Sequence, residues 1–298
     1  MVSKSSTPNW LSETYPFAQN SHDLPGSVRM NYVDHGEGES VLLLHGNPSW
    51  SFLYRDLVQQ LSANQFRCIA PDHIGCGLSD KPQAYSYTLR KHIDNIESLT
   101  ERLKLDSFHL VVHDWGGAIG CGLAVRNPER VRSLSILNTA AFRFSRMPLR
   151  IAFCRIPLLG EILIRQFNVF AGGATTMAVT KPMSFMTKRG FTHPYRTWND
   201  RIATARFVQD IPMKSSHQSW GTLCEIEEKL ISLSDKPMHL FWGMKDWCFC
   251  PSILEHWQRL FPKAEVSKYN DAGHYILEDA GNEALQDINQ FLSSNKSL

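Results

Sequence analysis

Apolar and polar residues alternate over residues 28–34, Val-Arg-Met-Asn-Tyr-Val-Asp, with the two-residue period of a half-buried strand. Gly36-Glu37-Gly38 marks a turn. The wholly apolar Val41–Leu44 predicts a strand buried on both faces. Further strands are predicted over 66–70, 108–113, 131–137, 238–243 and 264–269. Spacing near 3.6 residues predicts helices over about 52–62, 89–103, 252–260 and 282–292. In the second of these, Asn95, Glu97, Glu101 and Arg102 are assigned to the outer face. Strand and helix alternate as far as residue 137, which predicts an α/β fold: a mostly parallel sheet with helices on both faces.

The alternation stops at Phe142. From there to about residue 213, Phe153, Ile156, Leu159, Ile162, Leu163, Phe167 and Phe170 fall at helical spacing, and no strand pattern is found. The α/β pattern resumes at Met238. The expected organisation is a core of residues 1–141 and 214–298 with an inserted helical cap over 142–213. Such an insertion serves as a lid over strand ends, and its apolar residues supply its own packing.

At 298 residues the chain can bury a large core. Its 43% hydrophobic and 20% charged residues are those of a soluble globular protein. A net charge of +2 gives no reason to expect nucleic acid or an acidic membrane as partner. No apolar run is long enough to span a membrane. Met1 to Asn20 is polar and interrupted by Pro8 and Pro16, unlike a signal peptide. Seven irregularly spaced cysteines suggest reduced thiols and a cytoplasmic setting. Cys248 and Cys250 lack a second Cys/His pair, so no metal is expected, and no cofactor motif is present.

Chemistry concentrates at strand ends. Phe108–His113 runs into Asp114-Trp115-Gly116-Gly117, a strand, a sharp turn and a helix opening in small residues. An Asp before a helix is commonly an N-cap. A strand–turn–helix with a nucleophile at the turn is the alternative, although Val112 stands where that pattern has glycine. Asp246 follows a strand and glycine turn, and His274 lies in the loop Asn270–Tyr275. The order nucleophile, acid, histidine is that of a hydrolase triad. Asp114 would attack carbon, His274 would activate water, and Asp246 would fix the imidazole tautomer. Asp235 precedes its strand, and Asp271 is too near His274 in sequence to face it easily. Asp72-His73 is assigned to loop shaping. His45-Gly46-Asn47-Pro48-Ser49-Trp50 lies at another strand end, where open α/β sheets bind ligands.

Those loops, with His113-Asp114-Trp115-Gly116-Gly117, Asp246 and Ala272-Gly273-His274, resemble the haloalkane dehalogenases of the α/β-hydrolase superfamily over nearly the whole chain. The resemblance implies that the side chains of Asn47 and Trp115 bind the leaving halide. It also implies that their backbone N–H groups form an oxyanion hole. Neutral donors aimed at growing negative charge favour the transition state. One dehalogenase subgroup takes its acid as Glu after the strand that follows the elbow helix. This chain has Asn138 there, so Asp246 is the acid, as in the third subfamily. That subfamily is similar to the β-lactone decarboxylases that form cis-alkenes, and the motifs do not separate the two. The resemblance implies a small apolar substrate, a haloalkane or a β-lactone, and weakly a homo-oligomer. Dehalogenation is the leading expectation and decarboxylation the alternative. An epoxide hydrolase also uses an elbow Asp followed by Trp-Gly, but needs cap tyrosines, and the cap holds only Tyr195. A binding protein on a hydrolase fold could keep the triad and would show no covalent turnover.

Overall fold

A computed structural model describes residues 8–144 and 146–296. Residues 1–7 of the polar N-terminal stretch lie outside the described part. Eight strands form one sheet: β1 (Gln19–Leu24), β2 (Val28–His35), β3 (Glu39–Leu44), β4 (Phe66–Pro71), β5 (Phe108–His113), β6 (Val131–Leu137), β7 (Met238–Gly243) and β8 (Glu265–Tyr269). Their order across the sheet is β1-β2-β4-β3-β5-β6-β7-β8. β2 pairs antiparallel with β1 and β4, and all other pairs are parallel. The seven strands expected from sequence are present, and β1 was missed. Its sequence Gln-Asn-Ser-His-Asp-Leu buries only His22 and Leu24, because an edge strand has a single neighbour.

Thirteen helices are assigned among the described residues. The core helices are α1 (Asn9–Thr14), α2 (Arg55–Ala63), α3 (Leu89–Arg102) and α4 (Trp115–Arg126). Between β6 and β7 come α5 (Leu149–Cys154), α6 (Leu159–Arg165), α7 (Ala171–Met177), α8 (Phe185–Thr192), α9 (Ile202–Gln209) and α10 (Trp220–Lys229). The chain closes with α11 (Pro251–Leu260), α12 (Ile276–Asp279) and α13 (Asn282–Ser294).

The two-residue period of the buried strands feeds two cores. Leu42, Leu44, Leu110 and Val112 pack with Ile93 of α3, Leu123 of α4 and Trp257 of α11. Val41, Leu43 and Val111 face the other way, onto Leu11 of α1, Leu57 of α2 and Ile288 of α13. Both faces are thus covered, which is why these strands read as unbroken apolar runs. Val112 fits beside the elbow helix because Gly120 lies opposite; a Cβ at that glycine would collide with the valine methyl.

The outer face assigned to α3 needs one correction. Asn95 is buried, accepting from the Tyr85 hydroxyl at 3.1 Å and donating to it at 2.8 Å. A hydrogen-bonded amide tolerates burial that an unpaired one would not.

No strand occurs between β6 and β7 among the described residues. α10 packs on α3 and α4 of the core, whereas α6 packs on α5 and α9. Ile151, Cys154, Ile164, Ala205 and Val208 form a small separate core there. The apolar residues whose spacing marked this region are mostly outside that core: Phe153, Ile156, Leu159, Ile162 and Phe167 are exposed.

Candidate active site

Parallel strands align their carboxyl ends on one edge of a sheet, so loops distant in sequence meet there. Asn47 follows β3, Asp114 follows β5, Asn138 follows β6, Asp246 follows β7 and His274 follows β8.

Asp114 has φ 53° and ψ −127°, a backbone conformation costly for a residue with a Cβ. Its side chain makes no N-cap bond to α4. The carboxylate accepts instead from the backbone N–H groups of Asn47, at 2.7 Å, and Trp115. The turn is pinned by Thr139, whose hydroxyl donates to the Asp114 carbonyl, and by the Asp114 N–H donating to Asn138 O at 3.3 Å. Gly46 is required by close approach, since a Cβ there would overlap the Asp114 carboxylate.

His274 Nδ1 donates to Asp246 Oδ2 at 2.8 Å, and His274 Nε2 lies 3.7 Å from Asp114 Oδ2. The second distance is too long for a hydrogen bond and leaves Nε2 directed at the nucleophile's position. Asp246 is fully engaged. Its Oδ2 also accepts from Asn138 Nδ2 at 2.9 Å, and its Oδ1 accepts from the Cys248 N–H at 2.6 Å. His113 Nε2 donates to the His274 carbonyl at 2.8 Å, and the two rings lie with centroids 4.5 Å apart at a tilt of 44°.

Burial raises the Asp114 pKa; His274 and the two backbone N–H groups pull the other way without cancelling it. For His274 burial acts downward, but Asp246 and then Asp114 outweigh it, and its pKa is raised. Burial and the neighbouring His274 push His113 well down, which keeps it neutral.

The triad opens into a cavity of about 250 Å³ whose lining is almost wholly apolar, including Phe142, Phe144, Ile151, Leu223 and Phe249. Asn47 and Trp115 also line it. Asn47 Nδ2 donates to Thr204 O of α9 at 3.2 Å, which leaves one amide hydrogen over. The Trp115 ring packs on Phe207 with centroids 5.2 Å apart, and no described protein group accepts from its indole N–H.

The five residues singled out from sequence are therefore neighbours. The fallback acids are not among them: Asp271 is exposed and pairs with Lys245 at 2.6 Å, and Asp235 lies in the turn before β7. Asp72 holds its loop by accepting from the N–H groups of Ser51 and Leu78, both at 2.8 Å. The His73 N–H donates to His45 Nε2 at 3.0 Å. Tyr195 is not among the residues lining the cavity and donates to Ser49 O at 3.2 Å. Sequence reasoning overlooked Tyr275, which lines the cavity from outside the cap, and the supporting roles of His113 and Asn138. The signal for Asn138 is a polar residue at the end of a buried strand. Among the described residues no group of three or more His, Cys, Asp or Glu side chains is placed to hold a metal.

A mostly parallel sheet with a strained elbow residue placed as a nucleophile and a strand-end histidine is the arrangement of the α/β-hydrolases. Residues 39–281 match the family model described as alpha/beta hydrolase fold, and the chain belongs to that family. Within it, the chain is 43% identical over 277 residues to a cis-3-alkyl-4-alkyloxetan-2-one decarboxylase of Shewanella oneidensis, covering 91% of this chain and 87% of the relative. It is 33% identical over 274 residues to haloalkane dehalogenase 2 of Mycobacterium bovis, covering 90% and 92%. The fold matches the crystal structure of a haloalkane dehalogenase from Bradyrhizobium elkani with a TM-score of 0.85 at 24% identity, over 93% of this chain and 98% of that one. Both families named from the motifs are represented, but their order is reversed: the decarboxylase is the more similar relative.

Proposed function

We propose that this chain is a β-lactone decarboxylase that converts cis-3,4-dialkyl-oxetan-2-ones to cis-alkenes and carbon dioxide. The observation that carries this is the 43% identity to an oxetan-2-one decarboxylase over 91% of the chain, against 33% and 39% to haloalkane dehalogenases of Mycobacterium bovis and Mycobacterium marinum. An oxetan-2-one is a β-lactone, and the apolar cavity suits its two alkyl chains.

The chemistry explains how one site serves both families. In either reaction Asp114 displaces an anionic leaving group from a saturated carbon. With a haloalkane, the halide leaves. With the lactone, the Asp114 oxygen bonds to ring carbon 4, the C4–O1 bond breaks, and the freed ring carboxylate takes the negative charge. The side-chain N–H groups of Asn47 and Trp115 would meet that charge as it grows. The C2–C3 electron pair then forms the C3=C4 double bond, carbon dioxide departs, and the C4–Asp114 bond breaks to restore the carboxylate. Inversion at C4 sets the Asp114 ester anti to the carboxylate. Anti elimination from that arrangement keeps the two alkyl groups on one side, giving the cis-alkene. No proton or water is consumed.

In this scheme no water is activated, and His274, oriented by Asp246, flanks Asp114 without serving as a base. The helical segment 142–213 serves as the cap that keeps the site dry, with residues 1–141 and 214–298 as the core. The second reading is haloalkane dehalogenation, favoured by the two neutral donors at the cavity wall. There His274 activates water against the Asp114 ester, and the backbone N–H groups of Asn47 and Trp115 hold its oxyanion. A parallel assay of a long-chain cis-β-lactone and a 1-bromoalkane decides between them. Alkene formed faster than bromide is released is the expected result; bromide release with no alkene overturns the proposal.

A further inference from the structure

The segment between β6 and β7 exposes what a water-facing helical layer normally buries. Leu149, Phe153, Leu158, Leu159, Ile162 and Phe167 are 45–80% exposed. Single exposed apolar residues are ordinary, but six fall between residues 149 and 167, on and around the mutually packed α5 and α6, a concentration of the kind that marks an interaction surface. α5 buries Ile151 and Cys154 while exposing Leu149 and Phe153. α5 thus presents apolar side chains on its outer side as well as its inner one, interrupted there by Arg150.

The patch is also cationic. Residues 142–170 contain five arginines and one acid, Glu161, an asymmetry hidden by the chain's net charge of +2. Arg165 pairs with Glu161 at 2.6 Å, and Arg143 with Glu227. Arg146, Arg150 and Arg155 make no ion pair with a carboxylate among the described residues. Arg150 lies over the Trp247 ring at 5.2 Å, and Arg155 reaches Met147 Sδ at 3.8 Å.

The mouth of the active-site cavity opens beside this face. Arg150, Val169 and Met177 both line the cavity and are exposed, so they mark its rim. Their neighbours on α5 and in the 166–169 turn belong to the patch.

We propose that the outer face of α5, α6 and the 166–169 turn docks this chain on an anionic lipid surface, with the cavity mouth turned toward the bilayer. Apolar side chains beside unpaired arginines suit the acyl–headgroup boundary, where the first are dehydrated and the second meet phosphate. A second copy of the chain fits less well, since a two-fold contact through this patch would bring arginine-rich faces together. The inference rests on the exposed face and holds whichever electrophile Asp114 attacks.

The test is sedimentation of the full chain with phosphatidylcholine vesicles, with and without phosphatidylglycerol, across a salt series. Binding to the anionic vesicles, weakened by salt, is expected. Leu149→Ser/Phe153→Ser/Phe167→Ser and, separately, Arg146→Glu should each reduce it on the order of tenfold with thermal unfolding unchanged. None of these four residues lines the cavity. The proposal is overturned if the wild-type chain stays in the supernatant, if neutral vesicles bind equally, or if the variants bind as wild type. Self-association abolished by the triple variant, without vesicle binding, would assign the face to a second copy and overturn it as well.

Discussion

Trp115→Phe tests the leaving-group site most directly. The substitution keeps an aromatic ring against Phe207 and removes one N–H at the cavity wall. That N–H donates to no described protein group, so its loss leaves no buried acceptor unpaired and stability should hardly change. Its whole effect should fall on the charge that develops as the C4–O1 or carbon–halogen bond breaks. The lining is largely apolar, and Asn47, the other donor assigned to the leaving group, already spends one amide hydrogen on Thr204 O. Removing one preorganised donor from such a site costs about 2.7–4 kcal/mol, or about 10²–10³ in kcat. The assay is alkene formation from a cis-β-lactone under single-turnover conditions, with bromide release measured in parallel and a thermal melt as control. A loss of less than about threefold in both reactions, in a protein with wild-type melting, would refute the assignment of the indole N–H to the leaving group.

Three further outcomes follow from the same geometry. His274→Phe should still form alkene from the lactone but should release one equivalent of bromide per site from a bromoalkane and then stop, with the ester on Asp114 visible by mass spectrometry; Asp114→Asn should do neither. An adduct on another residue would sink the mechanism. On acidification bromoalkane turnover should fall first, because His274 must be neutral to activate water and its pKa is raised above the usual 6.5 or so. Lactone turnover should persist until Asp114, itself raised by burial, takes up a proton, and coincident acid limbs between about pH 5 and 9 would count against separate roles. Asn138→Ala deprives Asp246 of one of its hydrogen bonds, worth about 1.5–3 kcal/mol for a charged acceptor, so hydrolysis of the Asp114 ester should slow by up to about 10²-fold. Full-rate ester hydrolysis in a folded variant would show that Asn138 does not support the acid.

Much of the fold was legible because its signals are local. Strands covered on both faces must be apolar at every position, as β3 and β5 are, and the periods of 2 and 3.6 residues announce their elements. β1 was not legible, because an edge strand with little to bury has little pattern to show. Asn95 was misplaced because polarity alone cannot reveal a distant partner, here the Tyr85 hydroxyl.

Residue type and chain order are enough to pick out the candidate nucleophile, acid and base. Strand-end positions in a parallel sheet share one edge, so residue type and chain order carry nearly all of that information. Their surroundings come from the packing of elements distant in the chain. That packing gave Asp114 two backbone donors and a left-handed turn in place of an N-cap role, and gave Asp246 the Asn138 amide. It also turned the periodic apolar residues of α5 and α6 outward rather than into a core. Hydrophobic periodicity fixes which residues share a face of a helix, but not what that face meets. That depends on how separate elements pack, and no local stretch of sequence encodes it.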